Sequence, residues 1–303
     1  MGAEVQAFIT DIEYRSGYAK NTRLSYARDL KHFVSYLSGV MENQPQVKDI
    51  SPQCVLAYLQ NSFDNGTRPS TLQRRLAALR RFVLFLRQTG VLDANPINRE
   101  EVSLGAVMDV HDRGTVETVC LNELEVTYLK SALAASQKPI ALRDAAILAL
   151  MLEFGMSVRT LVELDLSDLG LKGKGIITTS NQGEMTQLPL GSALEPLKVY
   201  TERGRRDLAR SGRENALFVN QMGNRLSRQG LWQSLQKWGR KAGLEKKLSP
   251  RVLRNTAALQ MVWAGKGFPE MQKKLGHNSI LSTRALVRRL KASSTYKLER
   301  TTE

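Results

Sequence analysis

The sequence predicts a mainly α protein of two domains, a compact bundle of about four helices followed by a mostly helical α+β domain with one small β-sheet. Three observations carry this expectation. The chain has 303 residues, more than one ordinary core of roughly 100 to 200 residues accommodates. From residue 4 to about 90 its apolar residues recur at helical spacing. Between about 173 and 191 that period gives way to β-branched runs around a polar turn, the pattern of a hairpin.

Segment 4–15 sets Val5, Phe8, Ile9 and Ile12 on one helix face. After Ser16-Gly17 a second stripe runs from Thr22 to Leu37 through Leu24, Ala27, Leu30, Phe33 and Val34, with Asn21 placed to cap its first turn. Ser51-Pro52 reads as an N-cap followed by a proline at the first helical position, where its missing N–H costs nothing. It opens a third helix through Val55, Leu56 and Leu59. The fourth follows the turn Asn65 to Pro69 and runs from about Ser70 to Gln88, turning Leu72, Leu76, Leu79, Phe82, Val83 and Leu86 inward. Gly90 stops it, and Ala94 to Asn98 closes a first domain of residues 1–98.

Residues 99–118 have little period and read as an extended linker, so the second domain spans 119–303. Asn122 is placed to cap a helix over LNELEVTYLKSAL, and ALRDAAILALMLEFG is an apolar helix over 140–155. The hairpin GKGIITTSNQGEMTQLPLG turns at Asn181-Gln182-Gly183. Helices follow at about 192–210, 227–242, 249–264, 268–275 and 280–292.

Charge narrows the partners. With 44 Lys+Arg against 29 Asp+Glu, the net charge of +15 favours a polyanion, either nucleic acid or an anionic membrane face. No apolar run approaches the ~20 residues of a bilayer span, and the acidic, amphipathic N-terminus lacks the basic and apolar regions of a signal peptide. A cytoplasmic, nucleoid-associated location without membrane attachment is therefore expected. The cysteines, Cys54 and Cys120, lie far apart without metal-ligand spacing, and three histidines, His32, His111 and His277, make a His-built metal site hard to assemble. No metal or cofactor is implied. Arg74, Arg75, Arg80 and Arg81 stand on the fourth helix with no acid between positions 68 and 90, so no i,i+4 pair can neutralise them there and phosphate contact is expected.

Several phrases carry a resemblance. SGYAKNTRLSYARDLKHFVSYL and RPSTLQRRLAALRRFVLFLRQTGVLDANP, then ALRDAAILALMLEFGMSVRTLVELDLSDL, the hairpin ending QLPLG, ALFVNQMGNRLSRQGLW, SPRVLRNTAALQMVWAG and KKLGHNSILSTRALVRRL resemble, in order and spacing, the tyrosine recombinase or phage integrase family, especially its Xer-like and integron-type members. The resemblance implies a SAM-like core-binding bundle, a catalytic-type second domain, and duplex DNA clamped between the two. It further implies an active-site Tyr that attacks the scissile phosphate, while two Arg, a Lys and two His-type positions handle charge and protons. Arg forks stabilise the charge that builds on the non-bridging oxygens, and the leaving 5′-oxygen needs a proton donor.

Position by position, that chemistry is depleted. The first Arg falls on Ser157; placing Arg159 there instead needs a two-residue shift that turns the apolar stripe by about 200°. The Lys falls on Asn181, whose amide cannot act as a general acid, and Lys172 or Lys174 reach the site only in a different hairpin register. The box usually reading HVLRH is RVLRN: Arg254 keeps the second Arg, Arg251 replaces a His and stays charged, and Asn255 follows. His277 matches the family's Leu-Gly-His. Nine residues on, the nucleophile falls on Leu286, which has no nucleophilic atom. Tyr296 lies ten residues further, about 15 Å along a continued helix.

The expectation is a catalytically inactive homologue that binds double-stranded DNA in an architectural, regulatory or accessory role in recombination or integration. Its phosphate-binding residues are Arg251, Arg254, His277, Arg74, Arg75, Arg80 and Arg81. Pairing with an active tyrosine recombinase or self-association on DNA fits the same plan. The alternative is an active site-specific recombinase with displaced groups such as Tyr296.

Overall fold

The computed structural model of the protein describes residues 1–14, 18, 20–98, 100–107, 118–170, 175–179, 185–209, 214–277 and 279–292. The chain divides into two compact units, Met1–Val116 and Glu117–Glu303.

The first unit holds α1 (Gly2–Tyr14), α2 (Lys20–Val40), α3 (Pro52–Asp64) and α4 (Pro69–Gln88). Ser51 caps α3 by accepting from the Cys54 N–H at 3.2 Å, which satisfies one of the donors a helix start leaves free. The expected apolar face of α4 is buried in full, from Leu72 to Leu86. Phe8 of α1 packs against the Phe82 and Phe85 rings at 5.7 and 5.5 Å, tilted as aromatic quadrupoles favour.

Three details of this unit differ from the sequence reading. α2 begins at Lys20, so Asn21 lies inside the first turn instead of capping it. Leu24 is 55% exposed, because Leu30, Phe33 and Leu37 set the inward side and Leu24 stands about 120° around from Leu30. The supposed linker is partly docked: Val102 and Val107 are buried in the first core, and the Val102 carbonyl accepts from Arg80 Nη2 at 2.7 Å. The remainder, 108–117, lies outside the described residues.

In the second unit, Asn122 and the first turn of α5 (Glu123–Ala134) form a reciprocal capping box, Glu125 N to Asn122 Oδ1 and Asn122 N to Glu125 Oε2, each 2.8 Å. α6 (Pro139–Phe154) is buried along most of its length, Arg143 and Asp144 included. That buried pair is satisfied internally: Arg143 donates to Asp144 Oδ1 at 2.9 and 2.7 Å and to the Val219 carbonyl at 2.9 Å, while Trp238 Nε1 donates to Asp144 Oδ2 at 2.7 Å. After α7 (Val158–Glu163), β1 (Gly175–Thr179) and β2 (Met185–Pro189) pair antiparallel with Gly175 opposite Pro189. The expected helix over 192–210 is α8 (Leu194–Val199), a π turn at Tyr200–Gly204 and α9 (Arg205–Leu208). α10 (Arg228–Lys241), α11 (Pro250–Trp263), α12 (Phe268–Leu275) and α13 (Ile280–Lys291) complete it.

The main core of this unit centres on α6, and a second cluster of buried residues joins α11, α12 and α13 through Leu259, Met271, Leu275, Leu286 and Leu290. No helix among the described residues is long and apolar enough to cross a membrane.

Candidate functional site

The site forms where α6, α11, α12 and α13 meet. Ser249 caps α11, accepting from Val252 N at 3.3 Å, with Pro250 at the first helical position. This start leaves Arg251 exposed in the first turn and turns Arg254, three residues on, partly inward. Arg254 Nη1 donates to the Gly155 carbonyl at 2.6 Å and Nη2 to the Leu275 carbonyl at 2.7 Å. Those carbonyls end α6 and α12, where helix dipoles gather negative partial charge, so a guanidinium is a fitting partner for both. Gly155 allows the approach: it caps α6 at φ +60°, and a Cβ there would stand 2.5 Å from Leu275 Cδ2. Burial draws the Arg254 pKa down from its usual high range, and an arginine there still carries its charge.

His277 follows the left-handed Gly276 that ends α12. Its backbone is clamped by Gln272, which takes the His277 N–H at 3.1 Å and donates to the His277 carbonyl at 3.1 Å. Its Nδ1 lies 2.9 Å from Thr283 Oγ1 on α13. Burial, reinforced by the positive charges of Arg254 and Arg289, pushes the imidazole down to about 4. At that value the imidazole is uncharged near neutral pH, and what it offers a ligand there is a hydrogen bond.

Leu286 sits three residues beyond Thr283 and is 6% exposed, packed in the cluster with Met271, Leu275 and Leu290. Ser157 caps α7, accepting from Thr160 N at 3.1 Å. Arg159 faces along α7 to Glu163, donating at 3.0 Å, and the same carboxylate lies 3.6 Å from Arg228. Asn255 is buried and donates to the Val119 carbonyl at 3.1 Å. Asn181, Lys172, Lys174 and Tyr296 lie outside the described residues.

The basic run of α4 is less free than the sequence suggested. Arg74 pairs with Asp29, which is 4% exposed on α2. Arg75 donates to Ser62 Oγ at 2.8 Å and stands over the Tyr58 ring at 5.7 Å. Arg80 holds the Val102 carbonyl, while Arg81 is exposed. The acid absent from the run itself is supplied across the bundle, a contact that helix spacing does not reveal.

The sequence reading missed a second basic surface. Between Glu214 and Glu299 only Glu245 and Glu270 are acidic, and α10 has none. Its exposed residues include Trp232, Lys237, Arg240 and Lys241, with Lys247 Nζ over the Trp232 ring at 5.4 Å. Basic charge interleaved with an exposed aromatic suits nucleic acid, and the same test applied to residues 68–90 would have found it. Among the described residues no group of three or more His, Cys, Asp or Glu could hold a metal ion.

A helical bundle followed by a mostly helical domain with a small antiparallel sheet is the fold of the tyrosine recombinases. The chain belongs to the phage integrase, or tyrosine recombinase, family: residues 122–292 match the phage integrase family and residues 5–90 the phage integrase N-terminal SAM-like domain. It is 32% identical over 286 residues to the tyrosine recombinase XerC of Roseiflexus sp. (strain RS-1), covering 93% of this chain and 88% of the relative. It is 29% identical over 299 residues to the tyrosine recombinase XerD of Listeria monocytogenes serovar 1/2a, covering 97% of each. Among solved structures, the Tn1549 transposon integrase in complex with a circular intermediate DNA has a TM-score of 0.76 at 16% identity, covering 93% of this chain and 94% of that one. The XerH site-specific recombinase bound to palindromic difH substrate has a TM-score of 0.69 at 18% identity, covering 92% of this chain and 78% of that one. At these identities the structural likeness speaks for the fold.

Proposed function

We propose that this chain is a catalytically silent tyrosine recombinase homologue that grips duplex DNA through both domains and serves an architectural, regulatory or accessory role in recombination or integration. One observation carries the reading: the position nine residues after His277 is a leucine packed into a core cluster, while Arg254 is retained, held by the Gly155 and Leu275 carbonyls. An aliphatic side chain cannot form a phosphotyrosine-type intermediate. Ser157, spent on a helix cap, supplies no fork for the charge of the transition state. The net charge of +15 and the DNA-bound state of the solved recombinases of the same fold support duplex DNA as the partner. An active recombinase or a second copy of this chain is the protein partner this role calls for.

Binding is tested by measuring affinity for duplex DNA against salt. The reading expects log affinity to fall linearly with log salt, with a slope of about −0.9 per phosphate neutralised. No binding would point instead to a scaffold that has left DNA, and binding without that dependence would contradict contact through phosphates.

A further inference from the structure

α5 carries an apolar face that the second unit leaves uncovered. Its core side is Val126, Leu129 and Leu133. At about 100° per residue, Leu124, Tyr128, Ser131 and the C-cap Ala135 fall in a sector of about 60° on the opposite side. All four are exposed, Leu124 at 64% and Tyr128 at 56%. A surface helix ordinarily turns charge to water there, yet in a chain of net charge +15 this stripe has none. Glu123 and Lys130 flank it on one side, about 20° apart around the axis and about two turns apart along it. Both are exposed, and among the described residues neither has an ion-pair partner, whereas Glu125 holds Lys246 at 3.0 Å.

We propose that this face is a self-association surface, on which α5 of a second copy packs antiparallel across a two-fold axis. In such a contact residue i meets j and j meets i. An axis at the level of Val126 sets Leu124 against Tyr128 of the second copy, and a shift of half a residue sets Glu123 against Lys130 of the second copy. One arrangement therefore serves both the apolar stripe and the charges beside it. A parallel pair would stack Glu123 on Glu123 and Lys130 on Lys130, and DNA is a poor occupant for an uncharged stripe with an acid at its edge. Exposed ion pairs contribute little energy, so they set the orientation, while the stripe supplies the attraction. A single helix pair buries less than the roughly 1,200 Å² of a stable interface. The contact is accordingly weak in solution and gains from the effective concentration of two copies held on one duplex. The inference rests on the reading in which a second copy is the protein partner.

The experiment follows the full chain without DNA by sedimentation velocity over about 1 to 500 µM, the range a weak contact requires. The sedimentation coefficient of the parent is expected to rise with concentration, and L124S to abolish the rise. E123K and K130E should each weaken association roughly tenfold, since the two-fold axis repeats every like-charge contact. An equimolar mixture of E123K and K130E should recover it, because each Lys then faces a Glu, and the double variant E123K/K130E should match the parent. A parent that stays monomeric, single variants that associate as the parent does, or a mixture that recovers nothing overturns the inference. Titrating a fluorescent duplex with the same proteins keeps the two readings apart. A parent that binds duplex without self-associating overturns the inference alone, and one that self-associates through α5 but binds no duplex overturns the DNA reading and leaves the surface standing.

Discussion

The Nδ1 of His277 lies 2.9 Å from Oγ1 of Thr283, in a setting that holds the imidazole at about 4, well below its ordinary 6.5. Between those values the unfolded chain binds a proton that the folded chain refuses. Stability from this group is therefore complete above 6.5 and declines as pH falls toward about 4. Urea midpoints measured across that window should fall with pH in the parent, and less steeply in His277→Gln.

Leu286 fills its place in the cluster of α11, α12 and α13, so restoring a tyrosine there meets packed neighbours. Leu286→Tyr is expected to cost about 1–3 kcal/mol in denaturant unfolding, the usual range for overpacking. It should restore no cleavage of a labelled duplex, because Ser157 and Asn181 still lack the charge and the proton donor.

Arg74 belongs to the fold of the first unit as much as to its surface. Burial pushes the Asp29 carboxyl up and Arg74 pulls it back. Arg74→Ala leaves that buried acceptor without its ion-pair partner, at a cost of about 1–3 kcal/mol. Thermal unfolding of the variant should show the loss, and Asp29→Asn in the same background should recover part of it.

Arg251 and Arg254 should separate cleanly. Arg251→Ala removes an exposed charge and is expected to change stability by less than about 0.5 kcal/mol while lowering the salt slope of duplex binding by about 0.9. Arg254→Ala strands the carbonyls of Gly155 and Leu275, so unfolding free energy should drop by about 1–3 kcal/mol for each group left unpaired. Paired urea and anisotropy titrations read both quantities.

Local pattern carried most of the architecture. The stripe of α4, the proline-started α3 and the Asn122 cap depend on residues within one or two turns of each other, and each lies where its spacing requires. That Leu286 is apolar and belongs inside was equally legible, and it is buried on α13. What escaped depends on contacts distant in sequence. Arg74 meets Asp29 across forty-five positions, and Arg80 reaches Val102 in a stretch without period. The neutral state of His277 follows from burial and from arginines on two other helices.

Whether this protein holds DNA without cutting it is measured directly by a suicide-substrate assay with the full chain. Nicked duplexes carrying the sites it protects in a footprint trap any covalent recombinase. Protection of those sites with no covalent protein–DNA adduct is the expected result. An adduct that forms with the parent chain and disappears in Tyr296→Phe would contradict it.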